Sequence, residues 1–356
     1  MELHEELSQF YLSRLPDGVL EGKLLKAPCP FCGRDSEGAA GRLVVYLSGH
    51  SFFTGYFRCL NRCVPGGFAP HFGRLLGLDP SLVPDYDPDR RPHPMPKELP
   101  AQGINQEINR LHGTLTPEIR QYFAESGIGP DTLRELKIGF NGRYLVYPYF
   151  RENDRCYAAH CLSPDRGGDH FWLGDSRFAA DGLQIFNLKD IDRCEDGALF
   201  VTEGEANLLC LRELGYPGVA APGLDDLAAL DAERFAYVKT VFLVMRHSPE
   251  AEAAARAFAE RLGFKARLLQ WPATRERDFD LTRLAREDLA GFKAAVAGMI
   301  NSARAYSPFR PPSREYQLFR ADLEHRKTES YQAMRTGLQC FDRAMGGVHG
   351  LNVIGG

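Results

Sequence analysis

Four of the nine cysteines fall in two close pairs near the amino terminus. Cys29 and Cys32 have two residues between them, Cys59 and Cys63 have three, and 26 residues separate the pairs. Two tight pairs on neighbouring hairpin turns can place four thiolates at tetrahedral distances around Zn²⁺. Because four sulfur ligands close the coordination sphere, the spacing predicts a structural zinc site rather than a catalytic one.

Two other interpretations of the cysteine pattern stay open. The four thiols are buried and unrelated, or His50 or His71 replaces one of them as a zinc ligand. The odd number of cysteines favours a reducing cytosol over a disulfide framework. The segment "MELHEELSQFYLSRL" is acidic and amphipathic, without the apolar stretch of a signal peptide. We therefore expect a cytoplasmic protein.

Composition excludes some classes of function. No run approaches the roughly 20 apolar residues of a membrane span, so we expect no membrane partner. The net charge of −4 excludes a polycationic coat for nucleic acid. It leaves room for a local basic groove.

A second group of residues with chemical potential follows the apolar run "ALFVT". That run ends at Glu203-Gly204-Glu205, and a helix-like pattern begins at once. Carboxylates crowded at the end of a buried strand are costly to desolvate, so they normally have a partner. We expect a partner for both Glu203 and Glu205.

The elements around these glutamates predict a parallel sheet. Four strand-like segments, "ALFVT", "PGVAAPG", "TVFLVM" and "KARLLQW", alternate with helical patterns at 206–214, 224–236 and 249–262. Ser248 and Pro249 are a typical start for the last helix. Strands separated by single helices form doubly wound sheets, which bind ligands beyond the carboxyl ends of their strands. Glu203 lies at one such end.

The residues before 198 divide into three segments. The stretch "GRLVVYLSGHSFFTGYFRC" between the cysteine pairs predicts a β-meander. The run "LDPSLVPDYDPDRRPHPMPKELPAQG", with seven prolines, predicts a semi-rigid linker that uncouples the cysteine domain from the rest. Beyond it, "TPEIRQYFAESGIGPDTLRELKIGF" predicts two short helices, and "RYLVYPYF" and "RCYAAHCL" predict strands.

These segments, in this order, resemble a known family. "CPFC", the Pro-rich linker, "YFAESGIGPDTLRELKIGF" and "VTEGEANLLCLRELGYPGVAAPG" resemble a bacterial or phage DNA primase of the DnaG type, with a zinc-binding domain and a Toprim-containing polymerase domain. The tail "TGLQCFDRAMGGVHGLNVIGG" resembles the start of a RecA-like replicative helicase. The order is that of the primase half of a phage-type fused primase–helicase, similar to the T7 primase–helicase and mitochondrial Twinkle.

The resemblance implies a multidomain α/β fold. An N-terminal β zinc ribbon precedes a mixed α+β region and a Toprim parallel α/β sheet, and a linker helix leads to a truncated RecA-like helicase domain. The implied boundaries are 1–78 for the zinc ribbon, 79–103 for the linker, 104–197 for the first part of the primase core, 198–300 for the Toprim domain, 301–330 for the linker helix and 331–356 for the start of the helicase domain.

The resemblance also implies catalytic residues, three of which are replaced. Glu203 matches the Toprim glutamate that helps to bind divalent metal or acts in acid–base chemistry. Asp278 and Asp280 match the last acidic pair. Where the family has an aspartate four residues after the glutamate, this sequence has Asn207. Where it has Asp-x-Asp after the third strand, this sequence has Met245-Arg246-His247.

These replacements lead us to expect that catalysis is weak or absent. Methionine does not ligate Mg²⁺, arginine repels it, and histidine is a poor ligand for so hard an ion. We therefore expect Mg²⁺ or Mn²⁺ to bind poorly and Arg246 to neutralise the remaining carboxylates. Two alternatives are rescue of the metal site by Glu205 or Glu250, and a transition-metal site of His247 with Glu203.

Single-stranded template DNA requires a basic groove. The resemblance places such a groove beside the strands before the Toprim fold, where the candidate residues are Lys137, Arg143, Arg151, Arg155 and Arg166. Between the cysteine pairs, four aromatic residues and two arginines either stack bases or form the core of a small ribbon. They are Phe52, Phe53, Tyr56, Phe57, Arg58 and Arg62.

The tail implies further partners. The helix predicted at 314–326 has one apolar stripe of Tyr316, Phe319 and Leu323, which packs on this chain or on a neighbouring subunit. Gly355 would be the first glycine of a phosphate-binding loop. The resemblance thus implies a helicase domain and a homo-oligomer, a hexamer, in the full-length protein of a bacterial or phage-infected cell.

Three functions stay open from the sequence. The first is a primase-like half that binds single-stranded DNA for the helicase, with primer synthesis weak or lost. The second is an active primase that makes short RNA primers from NTPs, for which the intact cysteine quartet argues. The third is a recombination or nuclease Toprim protein, against which the helicase-like tail argues.

Overall fold

The computed structural model describes residues 3–32, 42–90, 102–164, 168–175 and 185–307, together with 316–317, 319–321, 337 and 339. The chain divides into two compact units, residues 1–306 and 307–356. Three predictions lie wholly or largely outside the described residues. They concern Arg166, the 314–326 helix and the start of the helicase domain.

The amino-terminal part is built on an antiparallel sheet with the strand order β1-β2-β3-β4. The cysteine pairs lie at the ends of its strands, and the predicted meander is confirmed. Tyr11, Leu25, Phe57 and Phe72 are fully buried in its core. The elements are α1 (Glu5–Leu12), β1 (Val19–Glu21), β2 (Leu24–Pro28), β3 (Arg42–Tyr46), β4 (Phe57–Cys59) and α2 (Ala69–Leu76).

A second antiparallel sheet follows, with the order β5-β6-β7-β8. Its long central hairpin alternates its side chains between two covered faces, so almost every position is buried. The first helix of this part covers one face through Ile108 and Leu111. The elements are α3 (Asn105–Gly113), α4 (Pro117–Ala124), α5 (Pro130–Glu135), β5 (Gly139–Phe140), β6 (Leu145–Phe150), β7 (Cys156–Leu162) and β8 (His170–Gly174).

The third sheet is parallel, as the strand–helix alternation predicts, with the order β10-β9-β11-β12. Its inner strand β9 is buried at every position, which explains the continuous apolar run in the sequence. The elements are α6 (Asp190–Arg193), β9 (Ala198–Glu203), α7 (Glu205–Glu213), β10 (Gly218–Ala221), α8 (Leu224–Ala229), β11 (Thr240–Val244), α9 (Pro249–Leu262), β12 (Ala266–Leu268), α10 (Leu281–Glu287) and α11 (Phe292–Ser302).

One predicted helix is divided in two. Residues 224–236 form α8 and a separate 3-10 turn at Ala232–Phe235. Leu230 is extended, and the Asp231 carboxylate accepts a hydrogen bond from the Glu233 amide, which starts the second turn. None of the helices in the described part of the chain has the length and apolar surface that crossing a lipid bilayer requires.

The prediction of an uncoupled cysteine domain is wrong. Phe53, in the turn before β4, packs against the rings of Phe200 and Tyr216, at centroid distances of 6.0 and 5.1 Å. Arg62 donates a hydrogen bond of 2.6 Å to Thr132 and pairs with Glu213 at 3.3 Å. Apolar residues of the two parts belong to one continuous core. The amino-terminal sheet is therefore bound to the parallel sheet by contacts that a linker composition does not reveal.

The first part of the Pro-rich run also packs against residues that flank the strands of the parallel sheet. Asp85 pairs with Lys239 at 2.8 Å, and Arg90 pairs with Asp196 at 3.0 Å. The Arg90 guanidinium lies over the Tyr237 ring, 4.1 Å from its centroid. The second part of the run lies outside the described residues, and the domain boundaries stay a prediction.

Candidate functional site

The four predicted zinc ligands lie together. Their sulfur atoms are all within 4.8 Å of one another, and four of the pairs are 3.4 to 3.7 Å apart. A tetrahedral site with Zn–S bonds of about 2.3 Å has sulfur–sulfur edges of roughly 3.8 Å. Cys29 and Cys32 follow β2, while Cys59 and Cys63 end and follow β4. The arrangement fits a structural Zn²⁺ ion with four sulfur ligands.

Zinc binding at this cluster must displace protons. Burial raises the pKa of Cys29 to about 11, so this thiol is protonated at neutral pH unless a metal ion binds. A bound zinc would hold the thiolate form and release the proton. Zinc affinity is therefore expected to rise with pH.

The two reserve ligands, His50 and His71, are not part of the cluster. His71 instead stacks on Phe57 with 5.9 Å between ring centroids, and its Nε2 atom is buried without a hydrogen-bond partner. Burial, with the nearby charges of Arg193 and Arg74, lowers the pKa of His71 to about 4. His71 is therefore a neutral residue of the amino-terminal core.

The neutral state of His71 predicts a loss of stability in acid. The unfolded chain binds a proton near pH 6.5 and the folded chain near pH 4, so stability is complete above pH 6.5 and falls as pH drops between the two values. We expect this residue to remove about 2 kcal/mol between pH 7 and pH 5. Urea unfolding of the unmodified protein and of His71→Phe at both pH values measures the effect. Equal losses in the two proteins would contradict it.

The second candidate site lies where β9 ends. Glu203 is its last residue and is 7% exposed. Gly204 follows with a φ of 75°, a left-handed conformation that favours glycine and turns the chain into α7. The glutamate thus stands at the carboxyl edge of an inner strand of a parallel sheet, as predicted.

Arg246 binds both of the carboxylates nearest to that edge. Its Nη1 atom pairs with Glu203 Oε1, and its backbone amide donates to Glu203 Oε2 at 3.3 Å. Its Nε atom pairs with Asp278 at 3.0 Å. The guanidinium therefore lies between Glu203 and Asp278 and pairs with both, as the replacement of the Asp-x-Asp motif led us to expect.

The other positions matched to metal ligands make structural contacts. Asn207 donates from its side chain to the Glu203 carbonyl oxygen at 2.8 Å and accepts from the Thr282 amide at 3.3 Å. Asp280 caps α10, accepting from the Arg283 amide at 2.8 Å. Both side chains hold the backbone around the glutamate.

The proposed rescuing acids do not join the Glu203 group. Glu250 pairs with Arg277 at 2.7 Å, and Glu205 binds Tyr149 and His160. Among the described residues, the cysteine cluster is the one group of three or more potential ligands within metal-binding distance. The carboxylates here, with an arginine between two of them, do not fit a pair of Mg²⁺ ions.

Several solved structures that match this chain are of primases. The zinc-binding and RNA polymerase domains of the Aquifex aeolicus primase match at 16% identity, covering 91% of this chain and 90% of that chain with a TM-score of 0.46. The primase fragment of the bacteriophage T7 primase-helicase matches at 19% identity, covering 50% of this chain and 72% of that chain with a TM-score of 0.41.

A DnaG primase catalytic domain bound to single-stranded DNA matches at 16% identity, covering 56% of this chain and 80% of that chain with a TM-score of 0.41. This chain is similar in structure to DnaG-type and T7-type primase domains. No protein-family model and no curated protein matches it.

The predicted DNA-binding residues do not form one cluster. Arg151 and Arg155 flank the turn between β6 and β7. Arg143 lies at the other end of β6, roughly 20 Å away, and pairs with Asp169 at 3.4 Å. Arg166 lies outside the described residues.

Lys137 lies near the β6–β7 turn, on a cavity that Asp154 of this turn also lines. This cavity, of about 260 Å³, is also lined by Lys189 and Arg193. Lys189 pairs with Asp154, and Arg193 pairs with Asp190. The positive charge of this cavity is therefore partly compensated within the chain.

Three of the four aromatic residues between the cysteine pairs belong to the core. Tyr56 and Phe57 are buried, and Phe53 packs on the parallel sheet. Phe52 is 36% exposed, but it contacts Phe242 edge-on at 5.2 Å and lies under Arg267. The interpretation as core residues is confirmed for Phe53, Tyr56 and Phe57, because the ribbon is too small to exclude water without them, whereas Phe52 stays exposed.

The sequence analysis did not predict one polar cluster. His160 and His170 come from neighbouring strands, β7 and β8, and lie next to Glu205. The sequence signal was the expectation that Glu205 has a partner. Nothing in the pattern of the strands identified the histidines as that partner.

Proposed function

We propose that this chain is the primase-like half of a replicative DNA primase–helicase. It binds single-stranded template DNA through its zinc ribbon and Toprim core, while primer synthesis is weak or lost. The proposal includes a helicase domain and a hexamer in the full-length protein, because the sequence of the tail resembles the start of a RecA-like helicase. The observation that carries the loss of synthesis is the position of Arg246, paired with both Glu203 and Asp278.

The chemical argument concerns charge. Primer synthesis by two divalent ions requires several carboxylate oxygens around the triphosphate and the attacking 3′-oxygen. In this chain the Arg246 guanidinium pairs with two of the three remaining carboxylates, those of Glu203 and Asp278. A magnesium ion would have to displace the guanidinium and would still find Met245 and His247 in place of aspartates.

A direct assay tests the proposal. We expect little or no primer from NTPs and Mg²⁺ on single-stranded DNA, and no change in Glu203→Ala. Robust Mg²⁺-dependent synthesis that Glu203→Ala abolishes would refute the loss of activity. It would favour the alternative of an active primase, which the complete cysteine cluster supports.

Binding of DNA is tested separately. We expect the protein to prefer single-stranded over double-stranded DNA, with an affinity that falls as salt rises. If Arg151 and Arg155 contact phosphates, replacing both by alanine should reduce the slope of log K against log salt by about 1.4. Fluorescence anisotropy with a labelled oligonucleotide measures this slope.

The matched control for this double variant removes two positive charges outside the β6–β7 hairpin. Arg256 and Lys293 lie on exposed positions of α9 and α11, which are not part of the β6–β7 hairpin. Their double alanine variant should keep the original slope. Equal slopes for the Arg151 and Arg155 variant and the unmodified protein would remove that turn from the DNA-binding site.

A further inference from the structure

A buried carboxylate lies one residue beyond the turn at Gly204. Glu205 is 1% exposed. Its Oε1 atom accepts hydrogen bonds from the Tyr149 hydroxyl at 2.6 Å and from His160 Nδ1 at 2.7 Å. Its Oε2 atom is buried and has no hydrogen-bond partner. Two donors on one oxygen orient this group towards the second antiparallel sheet.

The contact with Glu205 determines the tautomer of His160. A carboxylate accepts hydrogen bonds, so the hydrogen of the neutral imidazole is on Nδ1. The lone pair of Nε2 then points away from the glutamate, towards His170 Nδ1 at 3.1 Å. His160 is buried and stacks on Trp172 with 4.8 Å between centroids and 21° between planes. Its ring is therefore held in one orientation.

We propose that His160 Nε2 and His170 Nδ1 bind one divalent transition-metal ion. Two nitrogen ligands at metal–nitrogen distances of 2.0 to 2.1 Å are roughly 3.3 Å apart in a tetrahedral site and about 2.9 Å apart in an octahedral one. The observed 3.1 Å lies between these values. Imidazole suits Zn²⁺, Ni²⁺ and Cu²⁺ and does not suit Mg²⁺.

The surroundings of the two rings resemble those of metal-binding histidines. Such histidines usually donate their second ring hydrogen to a carboxylate, which fixes the ring and raises its basicity. Glu205 accepts that hydrogen from His160. Unlike His160, His170 is exposed, so an ion can enter from solvent and keep water in its other positions.

This site differs from the cysteine cluster and from the Glu203 group. It has two protein ligands, since no third potential ligand of the described residues lies within metal-binding distance. We therefore expect an exchangeable ion, bound more weakly than the zinc of the cysteines. The proposal does not depend on primer synthesis or on DNA binding.

Titration of zinc-replete protein with Ni²⁺, followed by calorimetry, tests the site. We expect one Ni²⁺ ion per chain. His170→Ala changes an exposed side chain and should lower the affinity at least ten-fold. Glu205→Gln, which removes the acceptor charge behind His160, should lower it on the order of ten-fold. Circular dichroism verifies that both variants are folded.

Two controls separate this site from the others. His247→Ala should leave Ni²⁺ binding unchanged, and a loss of binding in this variant would instead place the ion beside Glu203. Zinc release is measured at the end of each titration, because Ni²⁺ that displaces an equal amount of zinc occupies the cysteine cluster. Loss of Ni²⁺ binding in His247→Ala, or release of an equal amount of zinc, would overturn the proposal. Unaltered affinity in His170→Ala, or no Ni²⁺ binding by the unmodified protein, would overturn it as well.

Discussion

Replacement of Cys59 by serine is expected to abolish zinc binding and to destabilise the parallel sheet as well as the amino-terminal sheet. Structural zinc contributes on the order of 10 kcal/mol to the folding of small zinc domains, so the ribbon should unfold without the ion. The parallel sheet would then lose the contacts of Phe53, Tyr56 and Phe68, which belong to its core. Burial of one such aromatic side chain stabilises a protein by about 2 kcal/mol.

Tryptophan fluorescence can separate the two parts. Both tryptophans of the chain, Trp172 and Trp271, lie outside the amino-terminal sheet. Their urea unfolding transition therefore reports on the rest of the structure. We expect Cys59→Ser to shift its midpoint to lower urea by an amount equivalent to about 3 kcal/mol or more. Elemental analysis measures the loss of zinc in the same samples.

Phe53→Ala provides the matched control. It removes the ring that lies against Phe200 and Tyr216 and leaves all four cysteines in place. In this background Cys59→Ser should shift the tryptophan transition less, because part of the coupling is already absent. A tryptophan transition that does not respond to loss of zinc would show that the two parts fold independently.

Restoring carboxylates at the edge of the parallel sheet is expected to create a magnesium site. The variant Met245→Asp, Arg246→Asn and His247→Asp removes the charge between Glu203 and Asp278 and adds two hard oxygen ligands. We expect Mg²⁺ affinity to rise more than ten-fold, which corresponds to about 1.4 kcal/mol. Calorimetric titration with Mg²⁺ measures it, and primer synthesis tests whether chemistry returns.

The single variant Arg246→Asn is the control for this experiment. It leaves the buried Glu203 without its cation, so we expect a loss of about 1 to 3 kcal/mol in the free energy of unfolding. Because it adds no carboxylate, it should gain less Mg²⁺ affinity than the triple variant. Equal Mg²⁺ affinity in the unmodified protein and the triple variant would show that Arg246 does not block the site.

The sequence alone was sufficient for features that depend on local spacing. Two close pairs of cysteines are typical of a zinc site, and so the pattern at Cys29 and Cys59 predicted the observed cluster. Long apolar runs between helical patterns predicted the parallel sheet, since such strands are covered on both faces. That Met245 and His247 stand where aspartates are expected followed from the family resemblance, and the spacing of the strands does not show it.

The tertiary structure decided which side chains from distant segments meet. Arg246 pairs with Asp278 across 32 positions of the chain, and Glu205 meets His160 across 45. Phe53 reaches Phe200 despite a Pro-rich run between them, because the aromatic surface of a small ribbon is stabilised by a second apolar surface. Local composition carries no information about such pairings, which follow from the mutual burial of whole faces.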